Sequence, residues 1–262
     1  MTTPKQIRKD ILTMGWKSKA SHLGSALSLV EILYALYFQT ANFSKEKVHD
    51  PERDKIILSK GHGSVALYSV LNRLGIISDE DIESYSQNGG RLPCHIDMTS
   101  AEGLEASAGS LGHGAGIGVG MALANKMDAR TGRIFVIVGD GEIQEGSVWE
   151  AVALASTQKL DNFTLIVDFN GIQASDFSNK TIDQRNLSER LTAFGFDACD
   201  VDGHDVDALT AAFKRRSDKP TAIVAHTVKG KGVSFMENTV QSHYTKLTDE
   251  LYEKALADVE GM

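Results

Sequence analysis

The stretch RIFVIVGDGEIQEGSVWEAVALASTQKLDNFTLIVDFNG, residues 133–171, predicts the fold of this chain. Near-continuous apolar runs at 133–138 and 163–167 are typical of buried parallel strands. Between them, residues 145–159 carry apolar side chains at helical spacing. The pattern is therefore strand, helix, strand, and the two strands should lie parallel with a right-handed crossover.

Polar side chains follow both strands. Asp140, between Gly139 and Gly141, comes directly after the first strand, and Asn170 follows the second. Because ligands bind open α/β sheets at the carboxyl ends of their strands, we expect these side chains to lie together at a binding site. Their oxygens suit Mg²⁺ or Ca²⁺, and Mg²⁺ is usually completed by phosphate oxygens and water. Gly139 and Gly141 allow a phosphate to approach the backbone closely, and the N-terminus of the following helix adds free N–H groups. Together with the two polar side chains, these features indicate a metal-bridged diphosphate. The alternative is a strand-end turn with a helix-capping Asp.

Several segments resemble the transketolase family, whose members bind thiamine diphosphate. They are SKGHGSVALYSVL (59–71), ASAGSLGHGAGIGVGMALA (106–124), GDGEIQEGSVWEA (139–151), LIVDFNGIQASD (165–176) and HTVKGKGVSFMEN (226–238). The resemblance covers nearly the whole chain, but only the amino-terminal part of a full-length transketolase. It implies one diphosphate-binding domain over residues 1–262. The pyrimidine-binding and carboxyl-terminal domains would lie on another chain.

The resemblance also implies roles for individual residues. Cofactor contacts would come from His62, Gly109, Leu111, Gly139, Asp140, Gly141, Asn170 and Ile172, with Asp140, Asn170 and Ile172 also holding the metal. His22, His95 and His243 would contact the donor sugar or relay protons, which imidazole can do near neutral pH. Glu145 would link paired active sites at a dimer interface. Ser110 and His113 stand where the family usually has Pro and Gln, so a side-chain role of His113 stays open.

The implied function is that of the amino-terminal subunit of a split transketolase, which moves a two-carbon ketol unit from a ketose to an aldose. Sugar phosphates are the family default, and the cofactors would be thiamine diphosphate and Mg²⁺, or Ca²⁺. A second subunit would complete an α2β2 heterotetramer. Two alternatives remain. One is the α subunit of a 2-oxo-acid dehydrogenase E1, which would be expected to lack these histidines. The other is a non-catalytic cofactor-binding relic.

Composition narrows the class of protein. A net charge of −8 argues against a general nucleic-acid or anionic-membrane surface. No apolar run approaches the ~20 residues that span a bilayer, and MTTPKQIRKD lacks a signal-peptide core. Cys94 and Cys199 show no metal-ligand spacing. We therefore expect a cytoplasmic protein with free thiols, and the helix after Thr248 resembles a finished end of the chain.

The rest of the sequence alternates helices with strands, which predicts a doubly wound, mostly parallel sheet with helices on both faces. Helices are expected at 4–20, 27–40, 64–74, 79–86, 113–127, 186–194, 205–217 and 248–259, and further strands at 55–58, 196–201 and 221–227. Residues 87–110 are irregular and Gly-rich, which makes them a candidate active-site segment. Gly112, Gly116 and Gly120 share a helical face and predict close helix packing. The segment from Lys229 to Gly232 is either a solvated basic turn or a holder of anionic groups.

Overall fold

In the computed structural model, which describes residues 2–262, five parallel strands form one sheet. The strands are β1 (Lys55–Leu58), β2 (Ile134–Gly139), β3 (Phe163–Phe169), β4 (Asp197–Asp202) and β5 (Thr221–His226). Their order across the sheet is β1-β2-β3-β5-β4. β2 and β3 are neighbours, paired from Ile134 opposite Phe163 to Gly139 opposite Asp168. The strand-helix-strand unit predicted for residues 133–171 is therefore confirmed.

Eleven α-helices pack around the sheet in the described part of the chain. They are α1 (Pro4–Ser18), α2 (Leu23–Leu27), α3 (Val30–Tyr34), α4 (Ser64–Arg73), α5 (Asp79–Glu83), α6 (His113–Met127), α7 (Gly146–Thr157), α8 (Ser178–Thr181), α9 (Leu187–Ala193), α10 (Val206–Lys214) and α11 (Asp249–Glu260). Thr3 and Gln6 form a capping box at α1, and the Thr248 hydroxyl caps α11. No helix within residues 2–262 has the length and apolar character needed to cross a membrane.

The strand side chains alternate between two apolar cores. Phe135 and Ile137 face the layer of α1–α5, α10 and α11, whereas Val136 and Val138 face the layer of α6, α7 and α9. All four side chains are completely buried. A parallel sheet that is covered on both faces needs apolar residues at successive positions, which explains the near-continuous apolar runs in the sequence. The prediction of a doubly wound sheet with helices on both faces is confirmed.

The prediction of a single helix over residues 27–40 is wrong. The chain there forms the end of α2, then α3, then a π-helical turn at Ala35–Thr40. Ser28 lies at the break, and its hydroxyl donates to the Ser25 carbonyl and to the Asp168 carboxylate. Such side-chain bonds compete with the helical pattern. The break therefore places Ser28 against a buried charge at the end of β3.

The interpretation of the glycines in α6 is also corrected. A Cβ atom added at Gly116 or Gly120 would meet no atom within 4 Å. At Gly118, by contrast, it would lie 2.3 Å from Cγ2 of Val136, and at Gly114 it would lie 2.4 Å from Oγ of Ser59. The glycines that allow close packing within this chain are therefore Gly114 and Gly118, which face the sheet. Gly116 and Gly120 lie on the outer face of α6.

Candidate active site

A cavity of about 540 Å³ opens at the carboxyl-terminal edge of the sheet, beside the ends of β2 and β3. Every residue to which the sequence assigns a site role lines it. These residues are His22, His62, His95, Gly109, Leu111, Gly139, Asp140, Gly141, Glu145, Asn170, Ile172 and His243. They come from distant segments, so the fold brings them together. Their individual roles remain predictions.

Asp140 has a carboxylate oxygen with no partner. The residue is 2 % exposed, its Oδ1 accepts from the backbone N–H of Gly141 at 3.0 Å, and its Oδ2 is buried with no hydrogen bond from any described residue. Burial raises the pKa of Asp140 above its ordinary value and the nearby Asp168 carboxylate adds to that shift, whereas the Ser178 hydroxyl and the Lys60 ammonium oppose it. An orphaned buried acceptor costs about 1–3 kcal/mol. A cation bound at Oδ2 would remove that cost.

Asn170 and Ile172 add two oxygens next to Asp140. The amide Oδ1 of Asn170 accepts from the backbone N–H of Ile172 at 3.1 Å. The carbonyl of Ile172 accepts from the Lys229 ammonium at 3.0 Å. Within residues 2–262, no group of three or more Asp, Glu, His or Cys side chains could hold a metal. A cation at Asp140 would therefore depend on neutral oxygens and on ligands from outside the chain, as Mg²⁺ does when it binds phosphates.

Lys229 is part of the cavity wall, not of a solvated turn. Its side chain is completely buried, and its Nζ lies 2.8 Å from Nδ1 of His243. Burial lowers the pKa of Lys229 to about 8, and the Lys60 ammonium contributes to that shift. The side chain places a cation beside the Ile172 carbonyl. Of the two interpretations of the 229–232 segment, the contact favours a holder of anionic groups.

Lys60 and Asp168 form a buried ion pair that has no signal in the sequence. Lys60 Nζ lies 2.5 Å from Oδ2 of Asp168, which also accepts from the Ser28 hydroxyl at 2.7 Å. The Thr227 hydroxyl donates to the other carboxylate oxygen. Burial alone would raise the pKa of Asp168, but the Lys60 charge and these hydrogen bonds hold it below its ordinary value. The pair ties the loop after β1 to the end of β3.

Four histidines of the cavity lining cluster around His22. The ring centre of His22 lies 5.6 Å from that of His62, 5.8 Å from that of His95 and 5.0 Å from that of His243. Burial lowers the pKa of His22 and, more strongly, that of His62. Burial and the Lys229 charge lower the pKa of His243 to about 3. The imidazoles of these three residues are therefore neutral near pH 7, and each can both donate and accept a hydrogen bond.

Glu142 fixes the loop that precedes α6. Its Oε1 accepts from the Ser59 hydroxyl and from the backbone N–H of Gly112 at 2.9 Å, and its Oε2 accepts from the backbone N–H of Gly139 at 3.1 Å. Gly112 has a φ of +85° in this turn. Glu142 thus joins the ends of β1 and β2 to the loop that carries Gly109. The sequence does not reveal this role, because only its buried position distinguishes Glu142 from a solvent-facing acid.

The remaining polar candidates lie outside the centre of the cavity. Glu145 is exposed at the start of α7 and its side chain makes no capping bond. His113 is exposed on the first turn of α6. His204 lies in a turn, where its Nδ1 is 2.9 Å from Oε2 of Glu31, and His226 is the last residue of β5. None of these contacts identifies a further reacting group.

Comparisons with known proteins agree on one family. Residues 5–257 match the family described as "Transketolase, thiamine diphosphate binding domain". The 6-deoxy-6-sulfo-D-fructose transketolase subunit SqwG of Clostridium sp. strain MSTE9 is 38% identical over 97% of this chain and 94% of its own length. One subunit of the apulose-4-phosphate transketolase of Phocaeicola vulgatus is 37% identical over 96% of this chain and 90% of its own. Both relatives are therefore about as long as this chain.

Full-length transketolases share the fold over part of their length. The crystal structure of the Campylobacter jejuni transketolase superposes with a TM-score of 0.86 and 31% identity, over 99% of this chain and 43% of that one. The human transketolase is 33% identical over 98% of this chain and 41% of its own length. This chain thus spans about two-fifths of these proteins. With the match at residues 5–257, the comparisons confirm that the chain belongs to the transketolase family, as its thiamine diphosphate binding domain.

Proposed function

We propose that this chain is the amino-terminal subunit of a split transketolase, which transfers a two-carbon ketol unit from a ketose to an aldose together with a partner subunit. The observation that carries the proposal is a single cavity lined both by Asp140, Asn170 and Ile172 and by four histidines. The oxygens alone would support cofactor binding. The histidines add groups that can hold sugar hydroxyls, and relatives of this length that are named as subunits support the split architecture.

The residues beside β2 and β3 fit a metal-bound diphosphate. Asp140, Asn170 and the Ile172 carbonyl would hold Mg²⁺, with Ca²⁺ as the other hard cation that accepts this set. The orphaned Oδ2 of Asp140 supports this assignment, because it lacks the partner that a buried carboxylate needs. Lys229 and His62 line the same wall and would donate to diphosphate oxygens. Asp140 would remain ionised, since a bound cation lowers the pKa that burial has raised.

Bound thiamine diphosphate would supply a nucleophilic carbon for reaction with the ketose carbonyl. The chain's contribution is to orient the sugar and to move protons. Neutral His22 would relay a proton between sugar hydroxyls. His243, whose Nδ1 accepts from the Lys229 ammonium, would donate from Nε2 to a sugar hydroxyl. His95, which is exposed in the cavity lining, would contact the part of the sugar farthest from the diphosphate. Gly109 and Leu111 would present backbone groups to the pyrimidine ring.

We expect the binding site for an anionic group on the sugar to lie mainly on the partner subunit. The two ammonium groups in its lining are Lys60, which pairs with Asp168, and Lys229, which bonds Ile172. Both lie at the cofactor end. The relatives are named for a sulfonated sugar and for a phosphorylated sugar, so we infer that a phosphate or sulfonate on the substrate is bound mainly by the partner subunit.

An exposed apolar surface supports assembly into an α2β2 heterotetramer. Ile117 on α6 is 39% exposed and Leu154 on α7 is 46% exposed. Gly116 and Gly120 lie open on the same outer face of α6, so another backbone could approach closely there. Glu145 is exposed directly before α7, and the family resemblance implies that it links paired active sites. A second copy of the chain on this face would place Glu145 between the two sites.

The proposal is tested by reconstitution. The chain alone, its co-purified partner alone, and the mixture are assayed for ketol transfer from a ketose phosphate with thiamine diphosphate and Mg²⁺. We expect turnover only in the mixture, because the pyrimidine half of the cofactor needs the partner. Full activity of this chain by itself would refute the split-enzyme proposal. Cofactor binding without transfer in the mixture would favour the non-catalytic alternative.

A further inference from the structure

A second cavity, of about 570 Å³, lies at the opposite edge of the sheet from the thiamine site. Its lining includes Arg133 directly before β2, Asn162 directly before β3 and Arg216 shortly before β5. Because the strands are parallel, these positions mark the amino-terminal edge of the sheet. The full length of the strands separates this cavity from the histidines. Ketol transfer as proposed above makes no use of it.

The lining is strongly basic in a chain whose net charge is −8. Its charged residues are Lys126, Arg130, Arg133, Arg216 and one acid, Asp161. Lys126 donates to the carbonyls of Gln158 and Lys159 at the end of α7, and Arg130 pairs with Asp128. Two of the cations therefore have partners already. The other two, Arg133 and Arg216, make no ion pair with any residue from 2 to 262.

Arg133 is the more unusual of these two arginines because it is 7 % exposed. Its guanidinium lies over the Phe135 ring, 4.4 Å from the ring centre, and bonds the Thr164 hydroxyl at 3.4 Å. Burial lowers the pKa of Arg133 to about 10, and the neighbouring Arg216 charge lowers it too. The Asp54 carboxylate raises the pKa of Arg133 and so opposes this shift. One oxygen of Asp54 accepts a hydrogen bond from the backbone N–H of Arg133, and Asp54 forms no ion pair with the guanidinium. The buried guanidinium thus faces a like charge and lacks a carboxylate partner.

We propose that this cavity binds a small phosphate-bearing ligand, held between Arg133 and Arg216. The planar guanidinium fork matches phosphate oxygens bidentately. A buried charge is expensive without a counter-charge, and a bound oxyanion would supply one for both arginines. The volume lies in the range of small-molecule sites, so an organic group attached to the phosphate also fits.

Calorimetric titration of the full chain tests this site. Thiamine diphosphate is left out of these titrations, because it is itself a phosphate ester and would compete for the cavity. Inorganic phosphate is titrated in one arm and glycerol 3-phosphate in the other, at constant ionic strength. Arg216→Gln removes an exposed side chain and should leave the fold intact. Arg185→Gln removes the same charge from an exposed loop elsewhere and serves as the control.

We expect saturable binding of at least one probe, weakened about ten-fold or more by Arg216→Gln and unchanged by Arg185→Gln. Tighter binding of glycerol 3-phosphate than of inorganic phosphate would identify an ester as the ligand class, and the reverse order would identify the free ion. Absence of saturable binding, or equal affinity in wild type and Arg216→Gln, would overturn the proposal. Dependence on Arg216 identifies this cavity whatever happens at the thiamine site.

Discussion

The imidazole of His243 is buried beside a lysine, which makes folding sensitive to acid. Its pKa is lowered to about 3, and the pKa values of His22 and His62 are lowered as well. In the unfolded chain a histidine titrates near pH 6.5, so the unfolded state takes up protons first as the pH falls. The stability of the cofactor-free chain should therefore be greatest above about pH 6.5 and decline toward pH 3.

Urea unfolding of the cofactor-free chain from about pH 7.5 down to pH 5 checks this prediction. His243→Gln cannot be protonated, so its free energy of unfolding should depend less steeply on pH than that of the wild type. His49→Gln is the control, because the His49 side chain is 79% exposed. Identical slopes for the wild type and His243→Gln would show that burial of this ring does not couple to folding.

His22 and His95 should act on the sugar and not on the cofactor. In the reconstituted enzyme, His22→Ala and His95→Ala should lower kcat/KM for the donor about ten-fold or more, with thiamine diphosphate affinity little changed. Steady-state kinetics at varied donor concentration measures the effect. His226→Ala, at the end of β5, is the control. Wild-type donor kinetics in both variants would indicate that these histidines have a structural role and do not act on the sugar.

The sequence predicts the site residues that stand in recognisable loops, and it misses the buried charges that support them. Asp140 and Asn170 follow apolar strands at a fixed distance, so a single pattern marks them. Lys60 and Asp168 are separated by more than one hundred residues and become partners only through the pairing of β1, β2 and β3. Glu142 looks like an ordinary acid until the folded loop brings Gly112 to it. Long-range contacts of this kind carry no local signature.

The glycines of α6 give a matched test at the scale of one helix. Gly118→Ala places a Cβ 2.3 Å from Val136, and the resulting overpacking should destabilise the chain by about 1–3 kcal/mol. Gly120→Ala places its Cβ in open space, and alanine should stabilise the helix by about 0.5–1 kcal/mol. Thermal or urea unfolding of the two variants measures both changes in the free energy of unfolding. A stabilising Gly118→Ala substitution would contradict the packing described for α6.

The elements were predictable where one periodicity ran for many residues. The expected bounds of α6 are those observed, and β2, β3 and α7 lie within two residues of their predicted starts and ends. The exceptions have local causes. A hydroxyl bond at Ser28 breaks the helix predicted at 27–40. The four-residue α8 has the polar sequence Ser-Asn-Lys-Thr, which has no apolar periodicity to reveal it.

For the whole molecule, the outer face of α6 and α7 should control assembly. Leu154→Glu introduces a charge at a half-exposed apolar position, so it should leave the fold intact while weakening the proposed heterotetramer. Mass measurement of the reconstituted complex at several concentrations checks this. Met262→Glu changes another exposed apolar side chain and is the control. An unaltered mass distribution for Leu154→Glu would place the interface elsewhere.

The proposed diphosphate site is tested by calorimetric titration of thiamine diphosphate into the reconstituted complex, with and without Mg²⁺. The wild type should bind thiamine diphosphate saturably when Mg²⁺ is present and only weakly when Mg²⁺ is absent. Asp140→Ala and Asn170→Ala should each weaken binding about one hundred-fold or more, because each removes an oxygen ligand, while their melting temperatures stay near the wild-type value. Asp176→Ala, a half-exposed acid nearby, should bind normally. Unchanged affinity in both Asp140→Ala and Asn170→Ala would contradict the assignment of this cavity to a metal-bound diphosphate.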